Sequence, residues 1–438
     1  MDTAAKPWVP VFVLAIALAL PAIAATDGNW PEFRGPAGDG TSPGANAPLH
    51  WSEQENVAWR TEIHGKGWSS PVVWGAQVWL TTATEDGKKL FVLCVERENG
   101  KIIHDLEIFN VEKPQYCHPV NSYASPTPTV EEGRIYVTFG SAGTACLETA
   151  TGKVLWERRD LECNHFRGAG SSPILHGDLL FLNYDGSDQQ YVVAFEKKSG
   201  RTAWRTKRSV DFRDLDLFGK AEGDGDFRKA FGTCTVAMLG GVETLVSQGS
   251  KAVYGYEPRS GRELWRVEEL SNYSGSTRPL VWEGLVFVPS GFPSGVLLAI
   301  RPGANGEVLD AKGTNPPGSK LEVVWKTKVA VPKKPSLLVA GGLLYSVEDN
   351  GTATCREPAT GEVVWSQSLG GHYSASPLAV AGRIYFFSEE GKATVVAQGR
   401  EFRQLAENKL GNGFMASPAL SEGALFLRSR AMLYRVGG

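Results

Sequence analysis

The chain has 438 residues, among them 50 glycines, 25 prolines and 13 tryptophans, and a formal net charge of −3 at pH 7. Such a balance gives no basic patch to suggest nucleic acid, so nucleic acid is not an expected partner. The length admits two or three domains, while the Gly and Pro content calls for many tight turns.

Residues 1–24 read as an export signal. Lys6 precedes the apolar run 11–20, and Ala22-Ile23-Ala24 offers a small-residue cleavage site before Ala25. The run is shorter than the ~20 residues a spanning helix needs, and Pro21 ends it, so no transmembrane span is expected after cleavage. No cysteine near the cut supports a lipid anchor. The expected location is the periplasm or cell envelope. Residues 25–55 carry no strand pattern and read as an extended arm along the outside of the fold, pinned by Trp30, Phe33 and Trp51.

From residue 56 onward a repeat dominates. Five copies share small-x-Glu-x-x-[Asn/Ser/Thr]-Gly-x-x-x-[Trp/His], with Glu96, Glu148, Glu196, Glu257 and Glu357, closing on His104, Trp156, Trp204, Trp265 and Trp365. Related copies start at Ala299, Ala393 and Ala431. A period of about 50 residues signals a solenoid, propeller or array.

Ahead of each copy lie two short apolar segments split by a Gly turn, as in 171–183 and 376–387. The small residue opens a third strand and the Trp sits in a fourth, which makes an antiparallel propeller blade. The Glu and its Ser, Thr or Asn neighbour read as turn hydrogen bonders and not as catalytic acids. The Trp offers a flat face for the next blade. After Ala431 the chain has room for one strand only, whereas 56–63, around Trp59, is an orphan strand. Joined, they complete a last blade and remove the open edges. The expected fold is all-β: a single eight-bladed propeller over 56–438, with a monomer as the expected state.

Two stretches depart from the repeat. Residues 209–230 lengthen the loop into the fourth blade and are expected to rim the site face. Residues 302–320 are expected to project from the opposite face as a mobile loop. Of six cysteines, Cys94, Cys146 and Cys355 occupy the small-residue slot and read as buried fillers. Cys117 and Cys163 lie in equivalent loops of adjacent blades, where a disulfide is open to them. Cys234 has no evident partner.

These repeats resemble those of the pyrroloquinoline quinone (PQQ) repeat superfamily, which includes quinoprotein alcohol dehydrogenases and the outer-membrane assembly factor BamB. The segments 29–36, 121–128, 170–173 and 185–190 are similar to exported PQQ-like propeller proteins abundant in Planctomycetes. The dehydrogenase resemblance would imply PQQ held with calcium, a Cys-Cys ring and an Asp base. No Cys-Cys dipeptide occurs, and no complete calcium and base set can be matched. The BamB resemblance implies a protein-binding role instead.

In a propeller, the loop entering each first strand and the loop joining the second and third strands open on one face. Candidate ligand-binding residues there are His118, Asn121, Tyr123, His165, Arg167, Arg228, Tyr273, His372 and Tyr373 from entering loops, with Asp185, Asp188 and Gln189 between strands. Such a polar, partly aromatic mouth suits a small anionic or sugar-like ligand or an extended peptide. By donor type His118, His165 and Asp185 suit zinc, but no H-x-x-x-H spacing accompanies them, and loop-fixing hydrogen bonds are the competing reading. Arg167 and Arg228 either clamp an anion or pair with Asp185 or Asp226. With no nucleophile, metal or cofactor fingerprint, the favoured class is a non-enzymatic binding or scaffold propeller of the envelope. Its expected partner is an envelope protein or a small polar ligand. A PQQ-dependent dehydrogenase and a carbohydrate-acting or carbohydrate-sensing propeller are the alternatives.

Overall fold

A computed structural model describes residues 28–42, 46–303, 306–313 and 317–438. The export signal read at 1–24 lies outside them.

Eight four-stranded antiparallel units surround a central channel. Blade 1 is formed by Val72–Trp74, Gln77–Ala83, Lys89–Glu96 and Ile102–Asn110. Blades 2 to 7 follow over 129–158, 174–207, 235–268, 280–327, 338–368 and 378–409. Blade 8 takes three strands from 419–436, and its outer strand is Val57–Glu62, paired antiparallel to Met432–Val436. The ring is therefore sealed by joining the two ends of the fold, as the orphan strand around Trp59 implied.

The repeat motif builds the seams between blades. Each Trp or His faces the small residue across its own hairpin: Trp156 opposite Cys146, Trp204 opposite Ala194, His104 opposite Cys94. A register shift at that point swings the indole toward the next blade. There its Nε1–H donates to a turn carbonyl: Trp59 to Arg97 and Trp156 to Lys197, both at 2.9 Å, and Trp325 to Pro358 at 2.7 Å. The ring lies on the turn glycine. At Gly261, with φ +71°, a Cβ would stand 2.4 Å from the Trp204 ring. The motif glutamates hold these turns, Glu148 accepting from Thr151 Oγ1 at 2.6 Å and Glu196 from Ser199 Oγ at 2.9 Å. Cys94, Cys146 and Cys355 are fully buried in the seams.

One seam differs. Within 302–320, expected to project as a loop, Glu307–Asp310 instead pairs parallel to Glu263–Glu268 as a fifth strand of blade 4. The insertion replaces the Gly turn on which Trp265 would dock. Trp265 is instead covered, 1% exposed, and lies so close to Gly255 that a Cβ there would meet its ring at 2.3 Å.

The arm follows the expected outer path at Trp51, whose N–H donates to Asn408 of the outer strand of blade 7 at 2.9 Å, but departs from it over 28–42. Starting at Gly28, whose carbonyl bonds Ser421 of blade 8, it crosses the end of the channel away from the entering loops. Trp30 pairs with Val73 of blade 1, and the Pro31 carbonyl accepts from Val130 of blade 2. Glu32 meets Arg278 of blade 5 at 2.7 Å. Arg34 donates to the carbonyls of Leu337 at 2.6 Å and Pro377 at 3.3 Å, and Thr41–Ser42 pairs with the inner strand of blade 7. Burial explains this path: Trp30 and Arg34 are 2% and 3% exposed, surface that an outer groove would leave wet.

Candidate functional site: the channel mouth

Closing one end turns the channel into a funnel of about 610 Å³, open on the face of the entering loops. Phe33 of the arm contributes to its lining, and Trp68, His118, Val120, Asn121, Arg167, Asp226, Tyr273, Phe292, Lys334, Asp349 and Met415 line it from the loops.

Below the mouth runs a belt of hydroxyls, one at the head of nearly every inner strand. Ser417 N–H donates to Ser70 Oγ, Ser70 to Thr127, Thr127 to Ser172 and Ser172 to Thr233, at 2.9–3.1 Å. The chain resumes from Arg278 N–H to Ser336, Ser336 to Ser376 and Ser376 to Ser417, at 2.9–3.0 Å. Every blade but the fourth thus ties its entering strand to the next. Arg278 occupies the one belt position without a hydroxyl, and it reaches down to Glu32 and the Phe33 carbonyl. The belt lies outside the candidate set read from the sequence, although its period was visible. Ser70-Pro71, Thr127-Pro128, Ser172-Pro173, Ser376-Pro377 and Ser417-Pro418 recur once per blade.

The predicted site residues divide into three groups. His118, Asn121, Arg167 and Tyr273 line the funnel. Arg167 forms a two-pronged pair with Asp226, 3.1 Å and 2.8 Å, and Lys229 abuts the same carboxylate. Burial, with Arg167 nearby, lowers Lys229 to about 7. His118 Nδ1 accepts the Val120 N–H at 3.2 Å, and burial beside Arg167 lowers its pKa. Asn121 donates to the Arg167 carbonyl at 2.8 Å, and Tyr273 packs on Phe227 with centroids 4.7 Å apart.

Tyr123, His165 and Asp188 line a separate side cavity of about 480 Å³ between blades 1 to 3. His165 is buried there, its Nε2 accepting the Ser141 N–H at 3.1 Å, and burial pushes its pKa down to about 4. Asp188 accepts from the backbone of Asn164 at 2.6 Å and of Gln189 at 2.8 Å. Gln189 acts through its carbonyl, which takes the Gly186 N–H at 2.7 Å.

The remaining four are engaged elsewhere. Asp185 is sealed in a two-pronged pair with Arg208, 2.9 Å and 2.7 Å, stacked against Tyr254, and its side chain is 1% exposed. Desolvation raises its pKa against the pull of Arg208. Arg228 pairs with Asp214 at 2.6 Å and His372 with Glu390 at 2.9 Å, while Tyr373 is fully buried.

The disulfide open to Cys117 and Cys163 does not form; both are free thiols. The two loops run out of step. Cys117 bridges Arg167, four residues beyond Cys163, so Cys117 Sγ faces the Arg167 carbonyl at 3.7 Å. Cys163 Sγ faces His165 Nδ1 at 3.8 Å, and burial pushes this thiol up.

Segment 209–230 carries a short 3-10 turn at Glu222–Arg228 and delivers Asp226 to the funnel. Lys334 bridges Asp349 at 3.5 Å and Glu389 at 2.9 Å. The zinc set fails on geometry, since His165 accepts from the backbone, Asp185 is held by Arg208, and no trio of His, Cys, Asp or Glu converges among the described residues. A quinone with calcium fits no better. The funnel carboxylates Asp226 and Asp349 are each held by cations, and no group of three or more His, Cys, Asp or Glu side chains that could hold a metal ion occurs among the described residues.

A sequence model of the family described as outer membrane protein assembly factor BamB matches residues 49–207, 188–312 and 320–409. BamB of Yersinia pestis is 22% identical, over 70% of this chain and 83% of that protein. The quinohemoprotein alcohol dehydrogenase of Comamonas testosteroni superposes with TM-score 0.66 at 13% identity, covering 94% of this chain and 81% of that one. A europium-containing methanol dehydrogenase gives 0.65 at 13% identity, over 91% and 89%. BamB of Moraxella catarrhalis gives 0.58 at 11%, over 86% and 99%. Identities this low show shared architecture and leave activity to the site. The chain belongs to the family described as outer membrane protein assembly factor BamB, an eight-bladed propeller of the PQQ-like superfamily.

Proposed function

We propose that this protein is a non-enzymatic binding propeller of the cell envelope that docks a partner protein at the open funnel mouth. One observation carries the reading: the mouth is shaped for contact and not for chemistry. Trp68, Val120, Tyr273, Phe292 and Met415 give it apolar and aromatic surface, while Asp226 and Asp349 are already paired with Arg167 and Lys334. Aromatic anchors inside a paired polar rim are what a docked side chain or loop requires. The family match to an assembly factor supports a partner of protein type, and the export signal read at 1–24 supports the envelope.

The test places a photo-crosslinking residue at Val120, 49% exposed on the mouth, or at Met238, 64% exposed on blade 4 at the opposite face. In envelope preparations a discrete adduct is expected from Val120 alone. Adducts from both positions or from neither would remove the mouth as the docking site. Dye-linked alcohol oxidation on adding PQQ and calcium would replace this reading with the dehydrogenase one, and a melting shift with oligosaccharide would favour the carbohydrate one.

A further inference from the structure

The base of the funnel shows two independent features that point to one ligand chemistry. The first is the donor state of the belt. Each of its seven hydroxyls accepts a backbone N–H, and none of their own hydrogens has an acceptor among the described residues. These side chains are 1–6% exposed, and all but Ser336 line the funnel. A hydroxyl that has accepted still holds one O–H to give, and inside a protein an ungiven one is costly. The lumen is therefore ringed by donors.

The second is unbalanced buried charge. Arg34 and Arg428 are 3% and 2% exposed, and neither forms a salt bridge among the described residues, whereas the buried Arg208 and Arg278 have Asp185 and Glu32. Arg428 has no carboxylate acting on it and Arg34 only the charge of Asp39 at a distance, and both guanidiniums hold carbonyls next to belt residues in the chain. Arg34 donates to Leu337 and Pro377, which follow Ser336 and Ser376; Arg428 donates to Ser69, which precedes Ser70, at 3.1 Å. Arg428 Nε has no acceptor. Burial lowers both groups to about 9, so both are charged at neutral pH. A buried cation without a partner is unfavourable unless an anion approaches it.

We propose that the base of the funnel is an oxyanion site, which binds the carboxylate or phosphate group of a small ligand through belt hydroxyls such as Thr127, Ser172, Ser376 and Ser417 in the field of Arg34 and Arg428. An ionised oxyanion only accepts hydrogen bonds, and so matches a ring in which every hydroxyl still has an O–H to give. The site lies beneath the docking mouth and needs no partner protein. It stands or falls separately from the docking reading.

The experiment titrates the protein with inorganic phosphate, with succinate and with glucose, each against sodium chloride of matched ionic strength, by calorimetry and by melting temperature at pH 7.5. Saturable binding and a rise in Tm are expected for phosphate or succinate, and the stronger of the two identifies the headgroup. No response is expected for glucose. Ser172→Ala/Ser376→Ala should weaken the anion about tenfold or more. Arg428→Met should weaken it comparably while raising Tm without anion, because a buried charge is removed. The proposal is overturned if neither anion binds beyond the salt control, if glucose binds as well, or if both variants keep the wild-type affinity. Should the serine variant not fold, Arg428→Met and the wild-type titration decide.

Discussion

The two ends of the channel are built by opposite means. At the mouth, loops tie their charges in pairs that stay partly wet, such as Arg167 with Asp226, whose side chains are 38% and 18% exposed. At the other end, one segment makes a circuit beneath the blades and is locked by Arg278 and Glu32, with side chains 4% and 13% exposed. The mouth can exchange partners at small cost. The sealed end cannot, since breaking its pair strands a charge in low dielectric.

The largest effect expected from this contrast is at the sealed end. Arg278→Met leaves Glu32 buried without its cation and should destabilise by about 3–5 kcal/mol. The denaturant midpoint measures it, and Glu32→Gln/Arg278→Met should recover most of the loss. A single-variant cost near zero would mean that the arm is not locked by this pair.

His165, buried at the mouth end, sets a pH dependence. Its pKa falls from 6.5 in the free side chain to about 4 when folded, so the unfolded chain takes up the proton first as pH drops. Its contribution is complete above pH 6.5 and lost as pH falls through about 4, a change of up to about 3 kcal/mol. Chemical denaturation at pH 7.5 and pH 5 should show the fall, and His165→Gln should flatten it.

Arg167→Met removes a half-wet mouth pair whose carboxylate still touches Lys229, so the stability cost should be about 1 kcal/mol or less. Cross-linking from Val120 should nonetheless weaken. His372→Ala breaks an exposed pair with Glu390 and should leave the denaturation midpoint unchanged. A large cost at either residue would show that mouth and sealed end are not built differently.

The fold was readable because a repeat reports its own geometry. Small residue, Gly and Trp recur at fixed spacing since each Trp must lie over a hairpin partner and then on a glycine that offers no Cβ, as Trp204 does on Gly261. The mouth was half readable. His118, Asn121, Arg167 and Tyr273 line the funnel, but loop position could not say that Asp185 would turn inward to Arg208 or that Tyr373 would be buried. Side-chain direction within an irregular loop depends on the neighbouring blade, and spacing along one chain does not encode it. The same limit misled the cysteines. Loops equivalent in sequence lie four residues out of step in space, which sets Cys117 against Arg167.

By itself, then, the sequence determined the blade count, the closure through Trp59 and the turn role of the motif glutamates, because local spacing and hairpin geometry suffice for each. Only the tertiary structure decided that the arm seals the channel, that Arg278 interrupts a hydroxyl belt to hold Glu32, and that Glu307–Asp310 becomes a fifth strand of blade 4. These join residues up to hundreds of positions apart. What fixes them is the burial of charge and apolar surface around a common axis, which no repeat of about 50 residues can announce.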